Sequence, residues 1–275
     1  MPYGLDKVFK TITANPYLRN TYLEIEPCEA LKPYVHCFWL SRNDGGAENK
    51  TLIIPDLCMD IILYEYNGFN AKFCGINNYS YYCTENCTEH FGIRFYSWSA
   101  ALFSDEKMDS ALNTYDSVER YFSDFKGTLA EEILCAAEFS DKKLIAERYL
   151  MKKLGIGNIN SSVLNSIFYL IQKNGNASVK DLADYNAVSK RSLERYFLSS
   201  TGVSPKQMLS LIRYQLLWQD AVKRNFSVHD SVFKFGYYDQ SHLLREFKKY
   251  HGLNLTDARD SVFKMSHFYN TQPLM

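Results

Sequence analysis

Two stretches of the chain align with each other, SVKDLADYNAVSKRSLERYFLSSTG at 178–202 and SVHDSVFKFGYYDQSHLLREFKKYHG at 227–252. Both begin with Ser-Val-x-Asp, a helix start related to the capping box. A second helix start follows within each copy, at Ser189 and at Asp239, and each copy ends in a glycine five residues after a phenylalanine. A short helix, a tight turn and a second helix form a helix-turn-helix unit. The repeat therefore predicts two such units in the C-terminal part of the chain.

The second helix of each unit has an apolar side and a polar side. At about 100° per residue, Leu193 and Phe197 lie on one side of the first helix, and Leu243 and Phe247 take the same positions in the second. The opposite sides carry Arg191, Ser192 and Arg195 in the first unit, and Ser241 and Arg245, flanked by His242, Lys248 and Lys249, in the second. Arginine suits bidentate contact with guanine in the major groove, whereas lysine suits phosphate. Merely solvated charge is the alternative for any single residue, but it does not explain a pattern that occurs twice.

The formal net charge is zero, but positive and negative residues are distributed unevenly along the chain. Residues 1–161 contain 16 Lys and Arg against 22 Asp and Glu, a net charge of −6. Residues 162–260 contain 14 against 9, a net charge of +5, and Lys264 supplies the remaining +1. An acidic half joined to a basic half is expected when only the basic half meets phosphate.

The length of 275 residues accommodates two domains. Short β-branched and aromatic runs between Pro, Gly and Asn predict strands over 35–40, 51–55, 60–66 and 91–96. Helical spacing of apolar residues follows over 108–113, 117–125, 129–139 and 141–154. The last of these helices aligns Leu144, Ile145, Tyr149 and Leu150 in a stripe that either packs on the strands or pairs with a second copy. The expected chain is α+β, with a small β-barrel and helices over 1–154, a linker at 155–161, a helical domain over 162–260 and a tail at 261–275.

Over roughly Ser162–Asp260 the chain resembles the AraC/XylS transcription regulators. The resemblance is carried by Ser189-x-Arg191-x-Leu193-x-Arg195-x-Phe197, by Gly202-Val203-Ser204-Pro205, by Arg213, and by the run FGYYDQSHLLREFKKYHG at 235–252. Two positions depart from the family pattern. Asn254-Leu255 stands where a small residue and Pro are usual, and Ser231 stands where Ala is usual. Neither departure removes a base-reading position.

The resemblance implies a seven-helix domain in which one stiff helix, from Pro205 to about Lys223, joins two recognition helices. These helices would enter successive major-groove segments, roughly 34 Å apart, on one face of the duplex. By position, base reading falls to Arg191, Glu194 and Arg195 in the first helix and to Gln240, Ser241, His242 and Arg245 in the second, with Leu244 as a thymine-methyl contact. Lys190, Lys248 and Lys249 are assigned to phosphate. The implied function is sequence-specific transcription regulation on a double-stranded DNA operator.

The N-terminal half is similar to the cupin-like sensor domains of this family over 31–40, 53–63 and 92–95. That resemblance implies a domain that binds a small-molecule effector, dimerises, or does both. Its aromatic residues suit either a ligand pocket or a barrel core. The ligand-binding candidates are Trp39, Tyr64, Arg94 and Tyr96. For Arg94 the alternatives are an anionic ligand and a structural carboxylate such as Asp56 or Asp60, and the structural pairing is favoured.

A cysteine and histidine pattern, Cys83-x-x-x-Cys87-x-x-His90 with Cys74 nearby, leaves open a thiol- or metal-responsive regulator. The spacing is not that of a structural zinc site, and buried free thiols are the simpler interpretation. Only His36 and His90 precede residue 162, too few for a histidine-rich catalytic metal centre. A DNA-modifying or repair enzyme that uses the C-terminal domain for targeting is a third hypothesis, but no activated cysteine cluster or catalytic triad can be assigned. We expect no enzyme activity and no cofactor.

No run approaches 18 apolar residues, and the N-terminal MPYGLDKVFKTITANP lacks the apolar core of a signal peptide. Seven scattered cysteines, an odd number, are typical of reduced thiols. These features predict a cytoplasmic protein without membrane association. The expected partners are operator DNA, an unidentified small-molecule effector, RNA polymerase if the protein activates transcription, and a second copy of the chain in a homodimer.

Overall fold

The computed structural model describes residues 11–12, 22–42, 50–84, 87–125, 127–154 and 160–269. Strands occupy the N-terminal half of this part of the chain, and helices occupy the rest. The α+β class is therefore confirmed. Among the described residues, no helix combines the length and the apolar character needed to cross a membrane.

The strands form two antiparallel sheets. They are β1 (Tyr22–Ile25), β2 (Val35–Arg42), β3 (Lys50–Ile53), β4 (Cys58–Glu65), β5 (Phe69–Cys74), β6 (Tyr81–Thr84), β7 (Glu89–Tyr96) and β8 (Tyr115–Ser117). Six strands pair in the order β1-β2-β7-β4-β5-β8, and β3 pairs with β6. The described strands thus make an open six-stranded sheet and a separate two-stranded sheet, where the sequence predicts one small β-barrel.

The six-stranded sheet has an apolar face and a polar face, because successive side chains alternate across a strand. The apolar face is fully buried and consists of Phe38, Ile61, Phe73, Phe91, Ile93 and Phe95. The register pairs Trp39 with Gly92 and Arg94 with Asp60, so these residues share the opposite face. We call this opposite side the polar face. Tyr81 of the second sheet interacts with Cys74 of the polar face, so the second sheet lies near that face.

Two helices follow the sheet, α1 (Gly127–Cys135) and α2 (Phe139–Lys153). They lie on the apolar side of the sheet, where the Phe139 ring meets the Phe91 ring edge to face with ring centres 6.1 Å apart. The predicted stripe on α2 is partly wrong, because Leu144 is 54% exposed while Tyr149 and Leu150 are buried. This helix packs against its own domain and leaves Leu144 and Met151 on the surface.

Two helices predicted before α1 do not form. Residues 108–113 are turns, and 117–125 contain only the end of β8 and a short 3-10 turn at Val118–Arg120. The reason lies in the backbone hydrogen bonds. The Met108 amide donates to the Ser199 carbonyl at 3.0 Å and the Asn113 amide to the Ile76 carbonyl at 2.8 Å. These two amide groups donate to carbonyl groups of distant segments, so they are not available for the hydrogen bonds within a helix.

Seven helices form the C-terminal region, as predicted. They are α3 (Ser161–Gln172), α4 (Val179–Tyr185), α5 (Lys190–Thr201), α6 (Pro205–Ala221), α7 (Val228–Lys234), α8 (Gln240–His251) and α9 (Leu255–Tyr269). Ser178 opens α4 with a complete capping box to Asp181, and Ser204 opens α6 with another to Gln207. The predicted linker at 155–161 lies mostly outside the described residues, and so does the end of the predicted tail.

Candidate nucleic-acid interface

The first recognition helix, α5, begins and ends where the repeat predicts. The Ser189 hydroxyl accepts a hydrogen bond from the Ser192 amide at 3.0 Å. Leu193 and Phe197 are fully buried, which anchors one side of the helix in the domain core. Gly202 ends the helix at φ +73°, a left-handed conformation that glycine adopts without strain.

The other side of α5 presents the predicted base readers to solvent. Arg191, Glu194 and Arg195 are exposed, as is Lys190. These three predicted readers line an open groove of about 480 Å³ together with Leu198 and Asp109. The structure therefore brings the first three candidates together, next to an acidic residue of the N-terminal half.

The second recognition helix, α8, repeats this arrangement. The Asp239 carboxylate accepts from the His242 amide at 2.6 Å, Leu243 and Phe247 are fully buried, and Gly252 ends the helix at φ +80°. The exposed side chains of this helix are Gln240, Ser241, Leu244, Arg245, Lys248 and Lys249. Their exposure leaves them free to meet a duplex.

His242 differs from its neighbours on α8. It is half-buried, its Nδ1 atom lies 3.4 Å from the donating Tyr238 amide, and its ring contacts Tyr237 at 5.3 Å. These contacts fix the turn that precedes the helix. Base reading by His242 stays a prediction, and the geometry favours a supporting role in the turn.

Sequence reasoning missed the ion pair that positions α8. Arg213 on α6 donates from Nε and Nη2 to the two carboxylate oxygens of Glu246 at 3.0 and 2.9 Å. The side chains are only 12% and 13% exposed, and the guanidinium also lies 4.5 Å from the centre of the Tyr237 ring. The sequence signal for this ion pair was that Arg213 is the single arginine in the largely apolar connecting helix. This pair joins the connecting helix to the helix that carries the second set of base readers.

Tyr238 is a second residue that sequence reasoning missed. It lies in the turn just before α8 and is 90% exposed. A tyrosine at this place can reach the sugar-phosphate backbone that flanks an inserted helix. The signal in the sequence is the pair of tyrosines directly before the helix-capping Asp239.

The four ligand candidates of the N-terminal half lie on the polar face. The register pairs Tyr64 with His90 and Tyr96 with Cys58, alongside the Trp39–Gly92 and Arg94–Asp60 pairs. A Cβ atom at position 92 would lie 1.9 Å from the Trp39 ring, so the glycine makes room for the indole. The indole nitrogen of Trp39 is buried and has no hydrogen-bond partner among the described residues.

Arg94 pairs with a structural carboxylate, as favoured above. Its Nε and Nη2 atoms donate to the two oxygens of Asp60 at 3.0 and 3.1 Å. Nearby, burial raises the pKa of Asp56 to about 6; the Asp60 carboxylate adds to this rise, and the Arg94 guanidinium opposes it. Beside Trp39, the buried Arg94 guanidinium therefore lies near three acidic groups, which are Asp60, Asp56 and Glu24, whose Oε1 atom is 3.9 Å from Nη1.

The cysteines of the second hypothesis form no disulfide bond in the part of the chain that the structure describes. Cys83 lies half-buried in β6 and Cys87 is buried just before β7, with residues 85–86 between them outside the described part. The His90 ring contacts the Tyr64 ring in a tilted arrangement, with ring centres 5.5 Å apart. Within the described residues, no three His, Cys, Asp or Glu side chains are grouped to hold a metal ion. A thiol-responsive switch stays a hypothesis.

Two segments of the chain match known domain families. Residues 182–261 match a family described as a helix-turn-helix domain, and residues 23–116 match a domain of unknown function (DUF6597). No curated protein sequence matches the chain.

Among solved structures, the chain is similar to ToxT from Vibrio cholerae O395, at 14% identity and a TM-score of 0.39, covering 94% of each chain. It is also similar to the C-terminal domain of AraT, a response regulator from Geobacillus stearothermophilus, at 20% identity, a TM-score of 0.36, and 38% and 88% coverage of this and that chain. The transcriptional regulator CdpR from Pseudomonas aeruginosa is similar at 10% identity, a TM-score of 0.33, and 84% and 73% coverage.

Two capped helix-turn-helix units with exposed arginine-bearing helices define a DNA-binding protein of the helix-turn-helix class. The C-terminal region contains a helix-turn-helix domain over residues 182–261.

The phosphate assignment of Lys248 leads to a prediction about salt. Because a phosphate contact carries no sequence information, Lys248→Ala is expected to weaken binding to specific and random duplexes alike. The slope of log binding constant against log salt concentration should fall by about one. Lys152, an exposed lysine of α2, supplies the matched control, since Lys152→Ala removes the same charge away from the recognition helices. A loss confined to the specific duplex would contradict the assignment.

Proposed function

We propose that this protein is a transcription regulator whose DNA binding responds to a small-molecule effector held on the polar face of the N-terminal half. In this proposal residues 1–154 sense the effector, 155–161 link the domains, and 162–260 bind the operator. The observation that carries it is the grouping of Trp39, Tyr64, Arg94 and Tyr96 on one side of one sheet.

Chemistry on the polar face supports a ligand there. Trp39 offers a buried N–H donor that has no hydrogen-bond partner among the described residues. An unmade hydrogen bond of this kind is costly, and a ligand acceptor would remove the cost. The Arg94 guanidinium lies 5.9 Å from the centre of the Trp39 ring, and the Tyr22 ring stacks on the same indole at 6.1 Å. An aromatic wall with a few convergent polar groups is the usual composition of a ligand site.

The DNA-binding part of the proposal has a direct test. Purified full-length protein is mixed with a library of random duplexes, and bound sequences are recovered and read. Two exposed recognition helices predict a motif of two short blocks, roughly ten base pairs apart. Recovery of one block only would mean that a single helix reads sequence.

The effector part is tested through Trp39. Metabolites are screened for compounds that raise the melting temperature of the protein, because a ligand that binds only the folded state stabilises it. A compound that binds the polar face should change indole fluorescence in the wild-type protein, and this change should disappear in Trp39→Phe. Trp218→Phe, which alters a buried indole of α6, is the matched control. A fluorescence change that survives Trp39→Phe and disappears in Trp218→Phe would place the ligand elsewhere.

The remaining partners belong to the same proposal. RNA polymerase is a partner if the protein activates transcription. A homodimer is supported by the exposed Leu144 and Met151, which lie seven residues, or about two turns, apart on one side of α2.

A further inference from the structure

Strand β4, in the middle of the six-stranded sheet, is buried on one side and reached by solvent on the other. The side chains on the apolar side are fully buried, namely Met59, Ile61 and Leu63. The alternate residues Asp60, Ile62 and Tyr64, on the polar face, are only half-buried, although β7 and β5 flank this strand. The middle of the polar face therefore leaves space for a small molecule.

Three residues on neighbouring strands form the floor of this space. The register pairs Trp39 with Gly92, and Gly92 with Ile62. Because glycine has no side chain, the Trp39 indole lies across β7, and a Cβ atom at position 92 would lie 2.1 Å from the indole Nε1 atom. This buried N–H group has no hydrogen-bond partner among the described residues. An oxygen atom of a ligand would satisfy it.

Aromatic rings border the floor. The Tyr22 ring stacks on the Trp39 indole with ring centres 6.1 Å apart. On the far side of Ile62, Tyr64 interacts with Tyr115 of β8. The electron-rich faces of grouped aromatic rings attract a positive charge.

Arg94 does not offer this space a free positive charge. Its Nε and Nη2 atoms donate to the two Asp60 oxygens at 3.0 and 3.1 Å, and its Nη1 atom lies 3.9 Å from the Glu24 carboxylate. The Arg94 and Asp60 side chains are only 9% and 13% exposed. An anionic ligand would have to displace Asp60 from this bidentate pair and leave a nearly buried carboxylate unpaired, which is costly.

The charge on the polar face is negative. Its described carboxylates are Glu24, Asp60 and the adjacent Asp56, and its described cations are Arg94 and Lys72 of β5. Two positive charges against three negative charges leave −1 when all five groups are ionised. The Glu24 side chain is 36% exposed, so a ligand can reach this carboxylate from solvent. A site lined by excess negative charge concentrates cations.

We propose that the effector is a small organic cation, an amine or a quaternary ammonium compound that also carries a neutral oxygen. The positive charge lies between the aromatic rings and the Glu24 carboxylate, and the oxygen accepts a hydrogen bond from Trp39 Nε1. This inference rests on the effector site proposed above and names the chemistry of its ligand. Cation–π and charge–charge contacts stabilise the cation, whereas a neutral molecule of the same shape lacks both.

The test compares molecules that have nearly the same shape but different charge. Choline and acetylcholine are titrated into the full-length protein by calorimetry. Their neutral isosteres, 3,3-dimethylbutan-1-ol and 3,3-dimethylbutyl acetate, carry carbon in place of the ammonium nitrogen, and 3,3-dimethylbutanoate is the anion. Each cation is expected to bind roughly tenfold or more tightly than its isostere.

Three variants locate the bound cation. Glu24→Gln removes a charge but keeps an oxygen that can accept from the Tyr22 hydroxyl, now at 2.8 Å. It should reduce the preference for the cation by roughly threefold or more and leave the affinity for the isostere unchanged. Glu26→Gln is the matched control, since Glu26 is 78% exposed and pairs with Lys32 at 3.3 Å. Trp39→Phe should weaken binding of the cation and of the isostere alike, because both use the indole N–H.

The other outcomes separate this inference from the proposed function. Equal affinity for cations and isosteres, tightest binding of the anion, or no binding of either cation at about 10 mM would overturn the cationic effector. A preference that persists in Glu24→Gln would overturn the site. A ligand of another charge that requires Trp39 would leave the proposed function intact. If the cations bind as expected but do not change the affinity for the selected operator, the cation site stands and the regulatory response fails.

Discussion

Arg213→Ala is expected to lower the free energy of unfolding of the C-terminal domain by about 3–5 kcal/mol. The substitution removes the guanidinium and leaves the Glu246 carboxylate, only 13% exposed, without its bidentate partner. An uncompensated buried charge costs far more than the pair itself contributes. The measurement is urea unfolding followed by circular dichroism, which reports mainly the helices of this domain.

The double variant Arg213→Met, Glu246→Leu separates the cost of the unpaired Glu246 carboxylate from the contribution of the ion pair itself. Replacing both charges by apolar side chains of similar size removes the unpaired carboxylate and is expected to restore most of the stability. Arg224→Ala, at an exposed arginine just beyond α6, should change stability by less than about 0.5 kcal/mol. If Arg213→Ala behaved like Arg224→Ala, the ion pair would not hold α8 in place.

Arg195→Ala and Arg245→Ala are each expected to weaken specific DNA binding by about 1–3 kcal/mol, or roughly 5- to 150-fold. Both arginines are exposed on the outer sides of their recognition helices, and truncation leaves the helix anchors Leu193 and Leu243 in place. Selection from random duplexes should show relaxed choice at one base pair, in the first block for Arg195→Ala and in the second for Arg245→Ala. Affinity for random DNA should change much less.

The matched control is Arg259→Lys, which keeps the charge and lies on α9, where Arg259 donates to the Ala221 carbonyl at 2.7 Å. It should leave the selected motif unchanged. If the Arg195 and Arg245 variants lost affinity for specific and random DNA to the same extent, these arginines would be phosphate contacts rather than base readers.

The C-terminal region could be predicted from sequence because its signals are local. Ser189 and Asp239 cap the helices they precede, and Leu193, Phe197, Leu243 and Phe247 are fully buried as the helical spacing requires. Capping and amphipathic spacing act within one or two turns of helix. The repeat strengthens the prediction, because both copies show the same helix starts and the same apolar spacing.

The N-terminal half was harder to predict from the sequence, because its strands form only by pairing with segments that are distant in the chain. The segment Phe69–Cys74 reads FNAKFC, with little β-branched content, yet it pairs with β4 and β8. Residues 108–113 have helical spacing, yet they form turns because Met108 and Asn113 bond to other segments. Backbone hydrogen bonds across long sequence separations override local propensity.

The sequence by itself determined the two helix-turn-helix units, their capping residues, their buried anchors and the side chains they expose. Short-range hydrogen bonds and a 3.6-residue period suffice for all of these. Only the tertiary structure decided that Arg213 pairs with Glu246, that Gln215 bonds to Ile12 and Pro55, and that Asp109 stands beside the first recognition helix. These contacts join residues 33 to 203 positions apart in the chain, and no local pattern encodes which distant groups will meet.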